Sequence, residues 1–243
     1  MLTEYDRERY DRQIMIPEIG ETGQARLQNA VVFIAGAGGL GSPPALYLAA
    51  AGVGTLRIVD NDTVTLSNLN RQILHGDEDI GKGKAGSGAE TLGRLNARVQ
   101  LQCAADTITP ANVIDLVQGS DLIVDALDNI ETRLLLNEAA LNLKIPLIHG
   151  AVNGFEGRVL VVLPGKTACL GCLVRGKPQP GKFTVLGATP AVIGAIQATE
   201  AVKALLGTGR LLAGRLLRYD GLAMEFSEFK INQYPQCPDC GRE

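Results

Sequence analysis

The sequence predicts an α/β protein: a doubly wound, mostly parallel sheet that continues into an antiparallel C-terminal lobe. Three observations carry this. Short apolar runs alternate with helix-like segments up to about residue 150, as strands joined by crossover helices and covered on both faces must. The first of these runs, Val31-Val32-Phe33-Ile34, leads straight into a turn holding Gly36, Gly38, Gly39 and Gly41. Beyond about residue 150 the strand-like runs succeed one another without short helices between them, which suits antiparallel pairing.

Taken in order, NAVVFIAGAG reads as a strand entering a glycine turn. SPPALYLAAAGVG reads as a helix with prolines in its first turn and a glycine stop. TLRIVDND is a second strand, and Lys82 to Asn96 a second, poorer helix. RVQLQCAAD is a third strand, and TPANVIDLVQGS a helix with a Thr or Pro start. DLIVDALDN is a fourth strand, ETRLLLNEAALNLK the helix after it, and IPLIHGAV the strand that follows. In the second half GRVLVVLP, GRLLRYDG and LAMEFSEFKI are strands. Between them TPAVIGAIQATEAVKALLG is a helix so apolar around its circumference that it must be buried, with Gln197, Glu200 and Lys203 as its main polar stripe. No linker or internal repeat interrupts the chain. One domain over residues 1–243 is expected, with a nucleotide-binding lobe at about 28–150 and a second lobe at about 151–243.

Composition narrows the function. The chain of 243 residues can bury a substantial core, and no apolar run approaches the ~20 residues that span a bilayer. The charged start MLTEYDRERYDRQ lacks a signal-peptide pattern, so a cytoplasmic protein is expected. A formal charge of -3 gives no electrostatic basis for binding nucleic acid. With only His75 and His149, histidine-rich catalysis has few candidates.

The glycine turn has the spacing of a dinucleotide fingerprint, and Asp60 closes the next strand about 20 residues on. Such glycines let a phosphate meet backbone N–H groups at a helix N-terminus, and the acid takes ribose hydroxyls, as in Rossmann-like folds. A nicotinamide-dependent dehydrogenase is the first candidate. The next residues argue against it. Asn68, Asn70, Arg71 and Gln72 crowd into a few positions and Lys84 follows, a set suited to neutralising a triphosphate while a bond to phosphorus breaks. DALDN puts Asp125 and Asp128 at a strand end, where a carboxylate can hold Mg2+.

Four of the five cysteines form two CxxC pairs, Cys169 with Cys172 and Cys237 with Cys240. Together they make a tetrahedral set of four thiolates for a structural zinc ion, with a redox dithiol as the competing reading. The pairs are about 65 residues apart, so the ion would staple the tail to the middle of the chain. With every position taken by sulfur it offers no place to a substrate. Cys103, in an apolar run, reads as a core residue.

These residues resemble the ThiF/MoeB/HesA adenylyltransferases, relatives of ubiquitin-activating enzymes. The resemblance covers nearly the whole chain: RYDRQI, GAGGLGS, GVGTLRIVDNDTVTLSNLNRQIL, the Lys84 segment, DALDN, IGAIQATEAVKALLG and the paired cysteines, in that order. It implies an enzyme that binds ATP with Mg2+ and a small ubiquitin-like sulfur-carrier protein ending in Gly-Gly. The carrier's carboxylate attacks the α-phosphate, releasing pyrophosphate, as a step in thiocarboxylate formation for thiamine or molybdopterin biosynthesis. Carried over by motif, Asp60 holds the ribose, Arg71 and Lys84 bind phosphates, and Asp128 positions Mg2+. Asn68, Asn70, Gln72 and Asn129 would line the site. Arg12 would reach the ATP of a second subunit, making a homodimer necessary.

Three features depart from many relatives. KPQPGKFTVLG has no cysteine where relatives carry one for capturing the acyl group. No sulfurtransferase domain follows, so a separate sulfur donor is expected. The Lys84 segment carries Gly81, Gly83, Gly86, Gly88 and Gly93, a load expected to leave residues 81–90 among the least stable of the domain without nucleotide. Within the same class the acceptor could be a peptide or a small carboxylate. A non-catalytic zinc-stapled scaffold is disfavoured by the presence of Arg12, Arg71, Lys84 and Asp128.

Overall fold

The computed structural model describes residues 2–175 and 184–241. The stretch KPQPGKF, which lacks the cysteine of many relatives, lies outside the described residues. Eight strands form one sheet: β1 Val31–Ala35, β2 Thr55–Val59, β3 Gln100–Ala104, β4 Leu122–Asp125, β5 Leu147–Asn153, β6 Glu156–Val162, β7 Arg215–Asp220 and β8 Glu225–Lys230. Their order is β3-β2-β1-β4-β5-β6-β7-β8. The first five pair in parallel, and from β5 onward every pairing is antiparallel, as the change in sequence character predicts.

The helices among the described residues are α1 Glu4–Arg9, α2 Asp11–Ile14, α3 Gly20–Asn29, α4 Ser42–Ala50, α5 Lys84–Leu95, α6 Val113–Val117, α7 Ile130–Leu143, α8 Leu170–Val174 and α9 Ala188–Leu206. Those with crossover roles cover both faces of the sheet. On one side α3, α4, α5 and α9 enclose a core that includes Leu27, Leu48, Leu56 and Ile193. On the other α6, α7 and α8 enclose Phe33, Ile123, Leu136 and Leu160. Burial on both faces explains why β1 and β4 are uninterrupted apolar runs.

The long helix α9 lies close on β5 and β6. A Cβ at Gly157 would stand 2.2 Å from the Ile193 side chain, so only glycine admits the helix there. Its polar stripe is not a solvated face. Gln197 is buried and donates its Nε2 to the carbonyls of Asp125 (2.9 Å) and Ile148 (3.1 Å). Glu200, also buried, accepts from the Leu212 amide at 2.7 Å and pairs with Lys203. These side chains satisfy backbone groups where the sheet and the loop before β7 lack them, which hydropathy alone does not reveal. Among the described residues no helix is long and apolar enough to cross a membrane.

Candidate active site

A cleft of about 1020 Å³ opens along the C-terminal ends of the parallel strands and runs on toward β6 and β7. This is where open α/β sheets place ligands, at the point where the strand order turns back from β1 to β4. At one end is the turn after β1. A Cβ at Gly41 would fall 1.9 Å from the Gly36 carbonyl oxygen, so the turn folds back on itself only with glycine there. Gly41 serves this packing and does not line the cleft, whereas Gly36, Gly38 and Gly39 do. Behind the turn α4 starts at Ser42 and sets the positive end of its dipole toward the opening. Its own first amides are not free, since Ser42 donates to the Gly38 carbonyl at 2.9 Å, Ala45 to that of Gly41 at 3.1 Å, and Pro43 and Pro44 have none.

Asp60 follows β2 and lines the cleft, with one oxygen accepting from the Ala37 amide at 2.7 Å and the other from Asp62 at 2.9 Å. His75 braces the turn from behind. Its Nε2 faces the Ala37 carbonyl at 2.9 Å, which requires the proton on that nitrogen, and Nδ1 accepts from the Ser87 hydroxyl at 2.8 Å. Burial holds this imidazole below its ordinary value, so it is neutral.

Arg71, Gln72, Lys84, Asp128 and Asn129 all line the same cleft. Lys84 opens α5; its Nζ is buried and bonds Asp62 at 2.8 Å. Arg71 donates to the Ser67 carbonyl and to Asn70 Oδ1, both at 2.9 Å. Gln72 is buried with its Oε1 unpartnered. Asp128 is exposed on the loop after β4, and Asn129 caps α7 by accepting from the Thr132 amide at 2.9 Å. Asn68 and Asn70 are not in the cleft wall: Asn68 closes a 3-10 turn against Thr65, and Asn70 fixes Arg71. Arg12 stands apart, its side chain 92 % exposed, with Asp11 as its nearest acid.

The structure corrects the place of Asp125, read from sequence as a strand-end carboxylate for Mg2+ but fully buried and already engaged, and adds Arg133 and His149, whose part sequence reasoning missed. Beneath the Asp128 loop, Asp125, His149 and Arg133 form a buried cluster. Asp125 Oδ2 accepts from His149 Nδ1 at 2.7 Å and lies 3.6 Å from Arg133 Nε, while Oδ1 accepts from the Leu127 amide at 3.1 Å. Burial pushes the Asp125 carboxyl up, but Arg133 and His149 outweigh it and hold the group below the usual carboxylate range. Burial pulls His149 down despite Asp125, leaving a neutral donor beside an ionised acceptor. Arg133 donates to the Leu127 carbonyl and, at 3.0 Å, to the Gly150 carbonyl. Both backbone groups of Leu127 are thereby held, and with them the loop carrying Asp128. The spacing of Arg133 one turn after Asn129 is the signal available in sequence.

Far from the cleft the two CxxC pairs meet, with all four sulfurs within 4.8 Å of one another. Cys169 Sγ lies 4.0 Å from Cys172 and 3.7 Å from Cys237, and Cys172 lies 3.4 Å from Cys240. These separations are too long for disulfides. They match the ~3.8 Å edges of a tetrahedron of thiolates ~2.3 Å from a central zinc. Burial pushes the Cys169 and Cys172 thiols up, a cost that a central cation offsets. Arg175 bonds Asp239 at 2.8 Å beside the cluster, tying the tail to α8 a second time. The lone Cys103 is half-buried, with its thiol pushed up to about 11 by burial.

A model of the ThiF family matches residues 10–239. The chain belongs to that family. It is 45 % identical over 240 residues to the SAMP-activating enzyme E1 of Haloferax volcanii, an alignment covering 96 % of this chain and 88 % of that protein. It is 42 % identical over 252 residues to the sulfur carrier protein adenylyltransferase of Thermus thermophilus, covering 99 % and 93 %. The crystal structure of E. coli MccB with ATP shares the fold, with a TM-score of 0.84 at 24 % identity, covering 99 % of this chain and 76 % of that one. This ThiF-family chain is an adenylyltransferase.

Proposed function

We propose that the enzyme transfers AMP from ATP to the C-terminal glycine carboxylate of a small ubiquitin-like sulfur-carrier protein and releases pyrophosphate. The observation that carries this reading is the single continuous cleft. At one end it has a glycine turn, Asp60, Arg71 and Lys84; past Asp128 it continues along β5 to β7, with room for a second, extended reactant. The residues can divide the work accordingly. The glycine turn, backed by the positive end of the α4 dipole, receives phosphates, and Asp60 takes the ribose. Arg71 and Lys84 neutralise charge that builds as the α–β bond breaks. Asp128 is an exposed carboxylate without a hydrogen-bond partner among the described residues, which fits it to hold Mg2+. That cation would supply further charge neutralisation on the phosphates.

In this reading residues 1–243 are one adenylation domain and the four cysteines hold structural zinc. A separate sulfur donor completes the thiocarboxylate, for thiamine or molybdopterin biosynthesis. Arg12, exposed and outside its own cleft, serves the ATP of a partner subunit. The test is ATP–pyrophosphate exchange with thiamine-type and molybdopterin-type carriers, which should be carrier-dependent. Mixing inactive Arg12→Ala and Lys84→Ala proteins should restore part of the exchange through heterodimers with one intact site. Exchange with no carrier would sink the substrate assignment, and silent heterodimers the role of Arg12.

A further inference from the structure

Among the described residues Arg158 is a cation of the cleft with neither an anion nor a hydrogen-bond partner, whereas Arg71, also without an anion, is held by the Ser67 carbonyl and Asn70. It lies on β6, paired across the sheet with Ala151 of β5 and Arg218 of β7. It points to the same face as Leu160 and Val162, both fully buried. The residue is half-buried, and its Nε is buried with no hydrogen-bond partner. The acids around it on the sheet are already engaged. Asp125 is taken by His149, Arg133 and the Leu127 amide. Glu156 and Asp220 both pair with Arg218, at 2.7 and 3.4 Å. Among the described residues no ion pair reaches Arg158. Burying an unpaired guanidinium is costly, and burial together with nearby Arg133 pulls Arg158 below its ordinary value. A fold that keeps such a group beside an open cleft has built a receptor for an anion from outside.

Two anions meet in the proposed reaction, a nucleotide phosphate and the acceptor's carboxylate. Position chooses between them. Arg71 and Lys84, on segments that follow β2, already serve the phosphate end. β6 lies three strand positions from β1, about 14 Å at ~4.8 Å per strand, on the far side of Asp128. A nucleophile attacking the α-phosphate in line must enter from the side opposite the departing pyrophosphate. Around Arg158 the cleft wall includes the apolar side chains of Ala151, Val185, Pro190 and Leu216, which suit an extended backbone with small side chains.

We propose that Arg158 receives the carboxylate of the acyl acceptor and presents it to the α-phosphate. The proposal rests on the adenylation reading. One carboxylate oxygen bonds the α-phosphorus as the α–β phosphoanhydride bond breaks, and that electron pair leaves on pyrophosphate. No proton moves. The other oxygen becomes the uncharged carbonyl of the acyl adenylate, whose remaining negative charge sits on the phosphate, so the carboxylate's ion pair with Arg158 weakens as product forms. Arg158 therefore acts mainly on acceptor binding and little on turnover.

The experiment compares wild type, Arg158→Gln and Arg158→Lys. In exchange with a carrier active on the wild type, Arg158→Gln should raise the carrier KM roughly 10–100-fold, as expected for losing a charged hydrogen-bonded pair. The kcat and the ATP Kd should stay near wild type, with partial recovery in Arg158→Lys. A second readout needs no chemistry: glycylglycine should raise the melting temperature of wild type more than glycylglycine amide does, and Arg158→Gln should abolish the difference. Weaker ATP binding with unchanged carrier KM would assign Arg158 to a phosphate and overturn the proposal. Unchanged KM with an unchanged glycylglycine shift would overturn it too. Absence of exchange with every carrier, together with an Arg158-dependent carboxylate shift, would defeat the adenylation reading and leave the receptor standing.

Discussion

The nucleotide end of the cleft and the four-cysteine cluster both gather polar groups from distant parts of the chain, yet they finish them differently. In the cleft the partners are provisional. Lys84 rests on an exposed Asp62, Arg71 on the amide oxygen of Asn70, and Asp128 on nothing among the described residues. In the cluster each sulfur faces other sulfurs, half of them buried, and Asp239 seals the side by bonding Arg175. Groups held by exchangeable neighbours can be handed to a ligand and taken back. Groups whose geometry is closed can only hold. The first arrangement fits turnover, and the second fits architecture.

That contrast can be broken most sharply at Asp128. Replacing it with alanine should lower pyrophosphate exchange by ~10²–10³ while leaving the melting temperature unchanged, since the side chain supports nothing in the fold. Near-normal exchange would remove Asp128 from the chemistry. Conversely, Cys237→Ser with Cys240→Ser should abolish bound zinc and speed hydrogen exchange in residues 232–241, with ATP affinity changed less than about tenfold, ~1.4 kcal/mol. A larger loss of ATP binding would mean that cluster and cleft are not separable.

A smaller effect tests the brace between the glycine turn and α5. His75 is held neutral, so below about pH 6.5 the unfolded chain takes up a proton that the folded one refuses. Stability is then lost as pH falls through that window, by up to ~1.4 kcal/mol per unit, and is unaffected above it. His149 adds a slope of the same sign. Denaturant melts between about pH 7.5 and 5.5 should show a shallower slope for His75→Gln than for wild type; equal slopes would discard the brace as a titrating element. Smallest is Gly86→Ala. A Cβ there meets nothing within 4 Å, so the variant should gain up to ~1 kcal/mol, whereas at Gly88 a Cβ would press on Leu74 at 2.9 Å.

The glycine positions show what the sequence could and could not tell. Gly81 and Gly83 precede α5 and do not burden its interior, and Ser87, polar in sequence, is buried against His75. The expected weakness of residues 81–90 therefore rests on Gly86 and on Gly88, which Leu74 keeps a glycine. Strands, crossover helices, the switch to antiparallel pairing and the CxxC pairs are legible because each is written in a short local pattern. Roles that depend on register are not. Arg158 is in phase with Leu160 and Val162, and this alone hints that its side chain faces inward. Its neighbours Arg133, Asp125 and Arg218 become neighbours only when β4, β5, β6 and β7 align. Asn68 and Asn70 illustrate the reverse: side chains suited to a ligand are spent on the turn that carries Arg71.

The cysteine cluster also fixes an order of events during synthesis. Cys237 and Cys240 follow every strand of the sheet, while Cys169 and Cys172 come before α9, β7 and β8. A growing chain lengthens at ~5–20 residues per second, so about 65 residues separate the pairs by roughly 3–13 s. Throughout that interval the earlier pair is an incomplete two-thiol site. The four-sulfur cluster can therefore close only after α9, which completes the core over β1 and β4, and the last strands have been made, as a late step in assembly.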